Sequence, residues 1–257
     1  MRARLSILLP GLLLASTSCM MAQQQTAAVP VVDGGTFEMS RSIFIPPLAH
    51  APFNMVLTTE WIRPMQNVGT VTLVNQRRIV RDSQGRVYQE RWFLLPNNGK
   101  YSPRMSHIQI ADPQQHTYYN CLVAQKTCTL TVYPRSSETS YSPDISPSGP
   151  LPNGSGFHTH GDLGTSIKAG VDTHGYREVT TVNSGVAGND KPMVTTREFW
   201  YSPQLGFDLV SMVEIPRSGK QSFTVKELSL SEPDLHYFEV PDGYKVVDER
   251  DNQAAAQ

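Results

Sequence analysis

The feature that most constrains this chain is a period of two. From Thr36 onward, apolar and polar residues alternate in short runs separated by turn residues. No later segment carries the 3.6-residue apolar stripe of an amphipathic helix of three turns, and no internal repeat of fixed period is present. Residues two apart in an extended strand share a face, so such runs build a sheet with one face turned inward. Phe53 to Ile62 puts Met55, Leu57 and Trp61 on one side. Val68 to Arg81 and Arg86 to Leu95 flank Asp82-Ser83-Gln84-Gly85, whose leading Asp and closing Gly suit a type I turn. The resulting hairpin turns Val71 and Leu73 to one face and Thr70 and Thr72 to the other. Ile108 to Ala111 runs into a turn at Asp112-Pro113-Gln114-Gln115.

The second half reads the same way. Leu163 to Val171 and Gly175 to Val182 flank a turn placed at Asp172-Thr173-His174-Gly175. Val194 to Tyr201, Phe207 to Ile215 and Ser222 to Leu230 follow, with Pro216 to Gly219 as a turn and one further short strand near the end. Phe207, Leu209, Val213 and Ile215 mark one face. The prediction is a mainly β fold: a strongly curved antiparallel sheet of about ten strands, an incompletely closed β-barrel with little helix. It forms a single domain over 36–250. Residues 134–157 are the exception, rich in Pro, Ser and Gly with isolated apolar side chains. They cannot offset their ordering entropy, so a disordered loop is expected there. It is read as a surface loop, a lid or partner-binding segment, or a linker. Residues 23–35 and 251–257 are expected to be flexible ends.

The start of the chain addresses it out of the cytoplasm. Arg2 and Arg4 precede an apolar stretch from Leu5 to Ala15, then small residues and Cys19-Met20-Met21-Ala22. That pattern reads as a secretory signal peptide over 1–22, too short to span a bilayer. Cutting after Ala22 releases a periplasmic or secreted protein with no transmembrane segment. Cutting before Cys19 leaves a lipid anchor, the lesser alternative because a lipobox leucine is lacking. Cys121 and Cys128 then remain, an even pair in an oxidising compartment. Their flanks read as two strands of a hairpin, so a disulfide between them is expected. Their spacing is too long for a Cys-x-x-Cys redox pair, and no second pair completes a zinc site.

Composition narrows the partners. The 257 residues can bury a sizeable core without staples, and 22 basic against 23 acidic residues leave no global field for nucleic acid. No nucleophile elbow and no phosphate-binding Gly-rich loop appears, so no catalytic residue and no cofactor is assigned. Trp61, Trp92, Trp200, Phe199 and Phe207, together with Phe93 and Tyr201, are the candidate lining of an apolar ligand site, against the plainer reading of core packing. Arg77, Arg78, Arg81, Arg86 and Arg91 crowd the long hairpin and suggest a basic ribbon for phosphate or lipid headgroups, or a solvated face. His158, His160 and Asp162 at a spacing of two, with His174 downstream, form the one weak metal alternative, a hydrolase site.

Two stretches carry a resemblance. One is Arg81 to Arg86 with Ile110-Ala111-Asp112-Pro113 and Thr117-Tyr118-Tyr119. The other combines Gly164-Thr165, Ile167, Gly170, Glu198 to Ser202, Leu209-Val210, Gly219 and Phe238 to Tyr244. Together they resemble an uncharacterised family of exported bacterial proteins and, more distantly, the outer-membrane lipoprotein-carrier (LolA-like) superfamily. The resemblance implies a curved, unclosed antiparallel barrel with a hydrophobic concave face that carries lipids or lipoproteins, or regulates by protein contact. Pro46-Pro47 and Pro52 exclude the long N-terminal helix of that superfamily. The expected role is non-enzymatic binding of a hydrophobic or lipid-like small molecule in the cell envelope. The alternative is contact with an envelope protein, as an interaction or stress-sensor module.

Overall fold

Every predicted run becomes a strand, and all of them join one sheet. The computed structural model describes residues 45–65, 69–133, 142–143 and 145–251. The expectations for the leader at 1–22 with Cys19, for 23–35 and for 252–257 lie outside these residues, as do 134–141 and 144 of the expected loop.

The strands are β1 (Phe53–Met65), β2 (Gly69–Arg81), β3 (Val87–Asn97), β4 (Lys100–Asp112), β5 (Thr117–Leu122), β6 (Thr127–Val132) and β7 (Gly149–Pro150). They continue with β8 (Gly156–Lys168), β9 (Val171–Val182), β10 (Met193–Ser202), β11 (Phe207–Ile215), β12 (Gly219–Ser229) and β13 (Lys245–Asp248). Their order in space is β13-β6-β5-β4-β3-β2-β1-β12-β11-β10-β9-β8-β7. Successive hairpins build it antiparallel, except that β13 lies parallel to β6. The two edges, β13 and β7, do not meet, so the fold is the mainly β, curved, unclosed sheet read from the sequence.

The direction of curvature follows from contacts across strands. Phe53 on β1 and Phe207 on β11 bring their rings to 5.0 Å, although β12 lies between those strands. Arg81 on β2 reaches the carbonyl of Leu205, in the turn between β10 and β11, at 2.9 Å. Flat neighbouring strands are about 4.8 Å apart, so only a sheet curled toward this face allows these contacts. It is the inner face.

Its base is closed. Ile45, Phe53, Met55, Leu57, Ile79, Phe207 and Leu209 are buried there with Leu205. Arg81 stands among them, fully buried. Its guanidinium donates to the carbonyls of Ala51, Pro46 and Leu205 at 2.8–2.9 Å and lies over the Phe53 ring. Burial lowers its pKa to about 9. Three backbone acceptors stand in for water, and the side chain ties the N-terminal segment and the β10–β11 turn to β2.

The outer face of β2 to β6 has a separate cover. Val80, Tyr88, Ile108, Ile110, Cys121 and Cys128 form a second buried cluster, overlaid by Tyr237, Phe238, Val240 and Tyr244 of the C-terminal segment. A 3-10 turn at Leu235–Phe238 sets Tyr237 on Tyr88 at 5.1 Å and Phe238 beneath Arg86 at 4.6 Å. Cys121 and Cys128 face each other in register on β5 and β6 and are disulfide-bonded, as the hairpin reading expected.

Three readings are corrected. Among the described residues the sheet has thirteen strands rather than about ten. The turn placed at 172–175 lies at Ala169-Gly170, where both residues have positive φ, and 172–175 are within β9. Gly175 is there because Trp200 lies on it: a Cβ would meet the indole at 2.7 Å. Finally, β7, the turn at Pro152–Gly154 and the start of β8 all fall inside 134–157, where no structure was expected.

Candidate functional site

The inner face changes character along the strands. Phe53, Met55 and Leu57 of β1 sit in the closed base. Next comes a polar belt. Thr59 accepts from Arg77 Nη2 at 3.0 Å, Gln89 donates to Gln109, and Gln109 donates to the Tyr118 hydroxyl at 2.7 Å. Thr59, Arg77, Gln89 and Gln109 are all buried. These bonds satisfy part of the buried polarity, while the Gln89 carbonyl oxygen is buried without a hydrogen-bond partner among the described residues. Arg91 and His107 pair across β3 and β4 on the same face, and burial, then Arg91, lowers the His107 pKa.

Beyond the belt the inner face opens. Register places Trp61, Met65, Val71, Leu73, Phe93 and Leu95 on this face of β1, β2 and β3, with Trp61 opposite Leu73 and Leu73 in line with Leu95. Met65 is 45% exposed, Val71 38%, Leu73 43%, and Phe93 and Leu95 47% each. A contiguous exposed apolar surface on an inward-curving sheet is a binding feature rather than scatter. The indole N–H of Trp61 donates to the Ser218 carbonyl at 2.9 Å, which fixes its ring at the edge of the strip. Between β3 and β4 a register shift at Arg91/Trp92 opens a cleft of about 40 Å³, lined by Asn75, Arg77, Arg91, Phe93 and Ser106 among others. That is room for about one water. The accommodating surface is the strip itself.

The predicted aromatic set does not converge. Trp61 and Phe93 belong to the strip. Phe199 and Phe207 are fully buried, Phe207 in the base against Phe53. Trp92 and Trp200 point to the outer face, where their indoles hydrogen-bond Glu90 and Glu198, and Lys168 lies over Trp200 at 4.1 Å. Alternation decides this: residues 199 and 200 must face opposite ways. The basic ribbon divides likewise. Arg77, Arg81 and Arg91 point inward, Arg78 binds Asn54 and Arg86 binds Asp82. The resemblance implied a hydrophobic concave face; the observed one is apolar at both ends and polar between. Sequence reading passed over Leu73 and Leu95 as ligand contacts. The available signal was their alternation beside Trp61 in two stretches, 61–81 and 91–111, without carboxylates.

On the other wing, β8 to β11, the inner face carries charges. Arg197 donates to Glu178 at 3.1 Å, approaches Asp208 at 3.7 Å and covers the Phe199 ring at 3.9 Å. Burial raises the Asp208 carboxyl from 3.8 to about 7, against the attraction of Arg197. His158, His160 and Asp162 do share this face, as their spacing predicted. They do not gather: His158 pairs with Thr180, His160 leans on Tyr176, and only Asp162 and His174 meet, at 2.6 Å. Among the described residues no three His, Cys, Asp or Glu side chains are placed to hold a metal ion. No described helix is long and apolar enough to cross a membrane.

No protein-family model matches the chain, and no curated protein sequence does. Solved structures do match. A MucA/MucB complex from Pseudomonas aeruginosa matches at 12% identity and a TM-score of 0.38, covering 77% of this chain and 58% of that one. The chain spans about three fifths of the length of the MucB chains it matches. A domain assigned to outer-membrane lipoprotein sorting, from Vibrio parahaemolyticus, matches at 10% identity and 0.29, covering 74% and 89%. The lipoprotein LppX of Mycobacterium tuberculosis matches at 10% and 0.29, covering 72% and 90%. The distant resemblance to lipoprotein carriers read from the sequence thus has counterparts among solved structures. At these scores the likeness carries no functional argument, and the reading below rests on this chain's own residues.

Proposed function

We propose that this protein binds a hydrophobic, lipid-like molecule on the open end of its inner face, without catalysis, in the cell envelope. The observation that carries the reading is the exposed strip of Leu73, Phe93 and Leu95 on the inward-curving side, edged by the half-buried Trp61, with a buried polar belt at its floor. Each 100 Å² of apolar surface covered contributes roughly 2.5 kcal/mol. An alkyl chain laid along the strip gains that, while a polar head meets the belt. The leader sequence and the disulfide between Cys121 and Cys128 support residence outside the cytoplasm, periplasmic or secreted.

Delipidated protein is expected to take up a fluorescent fatty-acid probe with micromolar affinity. The double substitution Leu73→Ser, Leu95→Ser is expected to weaken uptake at least tenfold while leaving the thermal midpoint nearly unchanged. Absence of uptake by the wild type, or equal uptake by the double variant, refutes the proposal.

A further inference from the structure

The hairpin pair that bears the apolar strip has an uneven charge. Residues 61–81 and 91–111 contain no Asp or Glu, although acidic residues slightly outnumber basic ones in the whole chain. Three cations stand at the open end: Arg63, Lys100 and Arg104, all exposed. Register puts all three on the inner face with the strip, Arg63 opposite Val71, Arg104 opposite Phe93 and Lys100 at the β3–β4 turn. Arg63 lies over the Trp61 ring at 4.4 Å. The nearest carboxylates along the strands, Glu60 and Glu90, point to the outer face, where Glu90 is held by Tyr88 and Trp92. The tips add Met65 and the outward-facing Tyr101, both exposed.

Exposed apolar and aromatic side chains ringed by cations of one sign match an anionic bilayer surface: the rings and alkyl groups enter the headgroup boundary, and the cations meet phosphates. We propose that the open ends of β1–β2 and β3–β4 dock this protein on anionic phospholipid membranes, bringing its strip to the lipid it collects. The docking rests on charge and exposure at the tips. The collecting role rests on the ligand reading above.

The test is co-sedimentation of the protein, recovered after export from a bacterial host, with two vesicle types: phosphatidylcholine alone, and phosphatidylcholine with 30% phosphatidylglycerol as the probe. Pelleting is expected on the anionic vesicles only, and falling with added salt. Each basic residue near such a surface contributes roughly fivefold. The triple substitution Arg63→Glu, Lys100→Glu, Arg104→Glu is therefore expected to lower the partition more than about a hundredfold. Lys226→Glu with Lys245→Glu, distant from the tips, is expected to leave it unchanged. Circular dichroism verifies folding, and Met65→Ser with Tyr101→Ser supplies a charge-neutral second variant, expected to weaken partition several-fold. No pelleting of the wild type, equal pelleting of wild type and triple variant, or retention on polyglutamate resin without vesicle binding overturns the proposal, the last in favour of an acidic protein partner. Loss of probe uptake with intact vesicle binding refutes the ligand reading and leaves the docking standing. Loss of vesicle binding with intact uptake does the reverse.

Discussion

The two ends of the inner face are made of the same materials and do opposite things. At the base, Phe53, Phe207 and Leu209 surround Arg81, and all four are fully buried. At the open end, Trp61, Leu73, Phe93 and Leu95 lie beside Arg63 and Arg104; Leu73, Phe93 and Leu95 are nearly half exposed and Trp61 is half-buried. Strand alternation is equal in both. The difference is supplied by chain that is not strand. Ile45 and the prolines after it cap the base, and Arg81 ties that segment down through the carbonyls of Pro46 and Ala51. At the other end, tight hairpins leave the face uncovered. An apolar sheet face becomes core or site according to what the connecting segments bring to it.

The strongest way to break this contrast is at the base. Phe53→Ala removes a ring packed against Phe207 and Arg81, and about 3–5 kcal/mol of stability is expected to go with it. Urea denaturation measures this. A loss below about 1 kcal/mol would mean that the base is as loose as the open end.

The second effect belongs to the belt on the far wing. Asp208 shares Arg197 with Glu178, and burial raises its pKa from 3.8 to about 7. A carboxyl with a raised folded-state pKa binds its proton more tightly in the folded chain. Its contribution is most favourable below the unfolded value near 4 and is lost as the pH rises through about 7. Three pKa units correspond to at most about 4 kcal/mol. Asp208→Asn removes the titration, so its stability relative to the wild type is expected to be greater at pH 8 than at pH 4. Equal differences at the two values would place the ionised carboxylate in a well-compensated ion pair.

Much of this architecture was legible because strands and turns are local. The turns at 82–85 and 216–219 carry Asp, Pro and Gly where such turns need them. What escaped was decided at a distance. Gly175 reads as a turn glycine, yet its reason is the Trp200 ring on the neighbouring strand. β8 reads from sequence as starting at 163, because a strand that β7 covers only at Phe157 and His158 need not alternate apolar and polar residues. Register shifts at Val56/Leu57, Arg91/Trp92, Asp162/Gly164 and Trp200/Tyr201 leave no mark in composition. Arg81 and Arg86 look alike in sequence. One is sealed among carbonyls and phenyl rings, while the other meets Asp82 near the surface. Of the candidate site, Trp61 and Phe93 stand among the aromatic residues the sequence offers, but separating them from Trp92 and Trp200 requires knowing which face turns inward.

The smallest expected effect tests the open end from the side of stability. Phe93 has the same ring as Phe53 and sits on the same face, but it is 47% exposed where Phe53 is fully buried. A half-exposed aromatic on a strand contributes through its cross-strand neighbours, about 0.2–1 kcal/mol each. Here those neighbours are the polar Asn75 and Arg104, whereas the Phe53 ring meets the ring of Phe207. Phe93→Ala is therefore expected to cost about 1 kcal/mol or less by urea denaturation. Fatty-acid probe binding measured on the same sample should fall by a larger factor than stability does, because the ring's missing contacts are the ones a ligand would supply. A loss of about 3 kcal/mol or more would show that the ring is already packed by its own chain, and the open end would then be a second core.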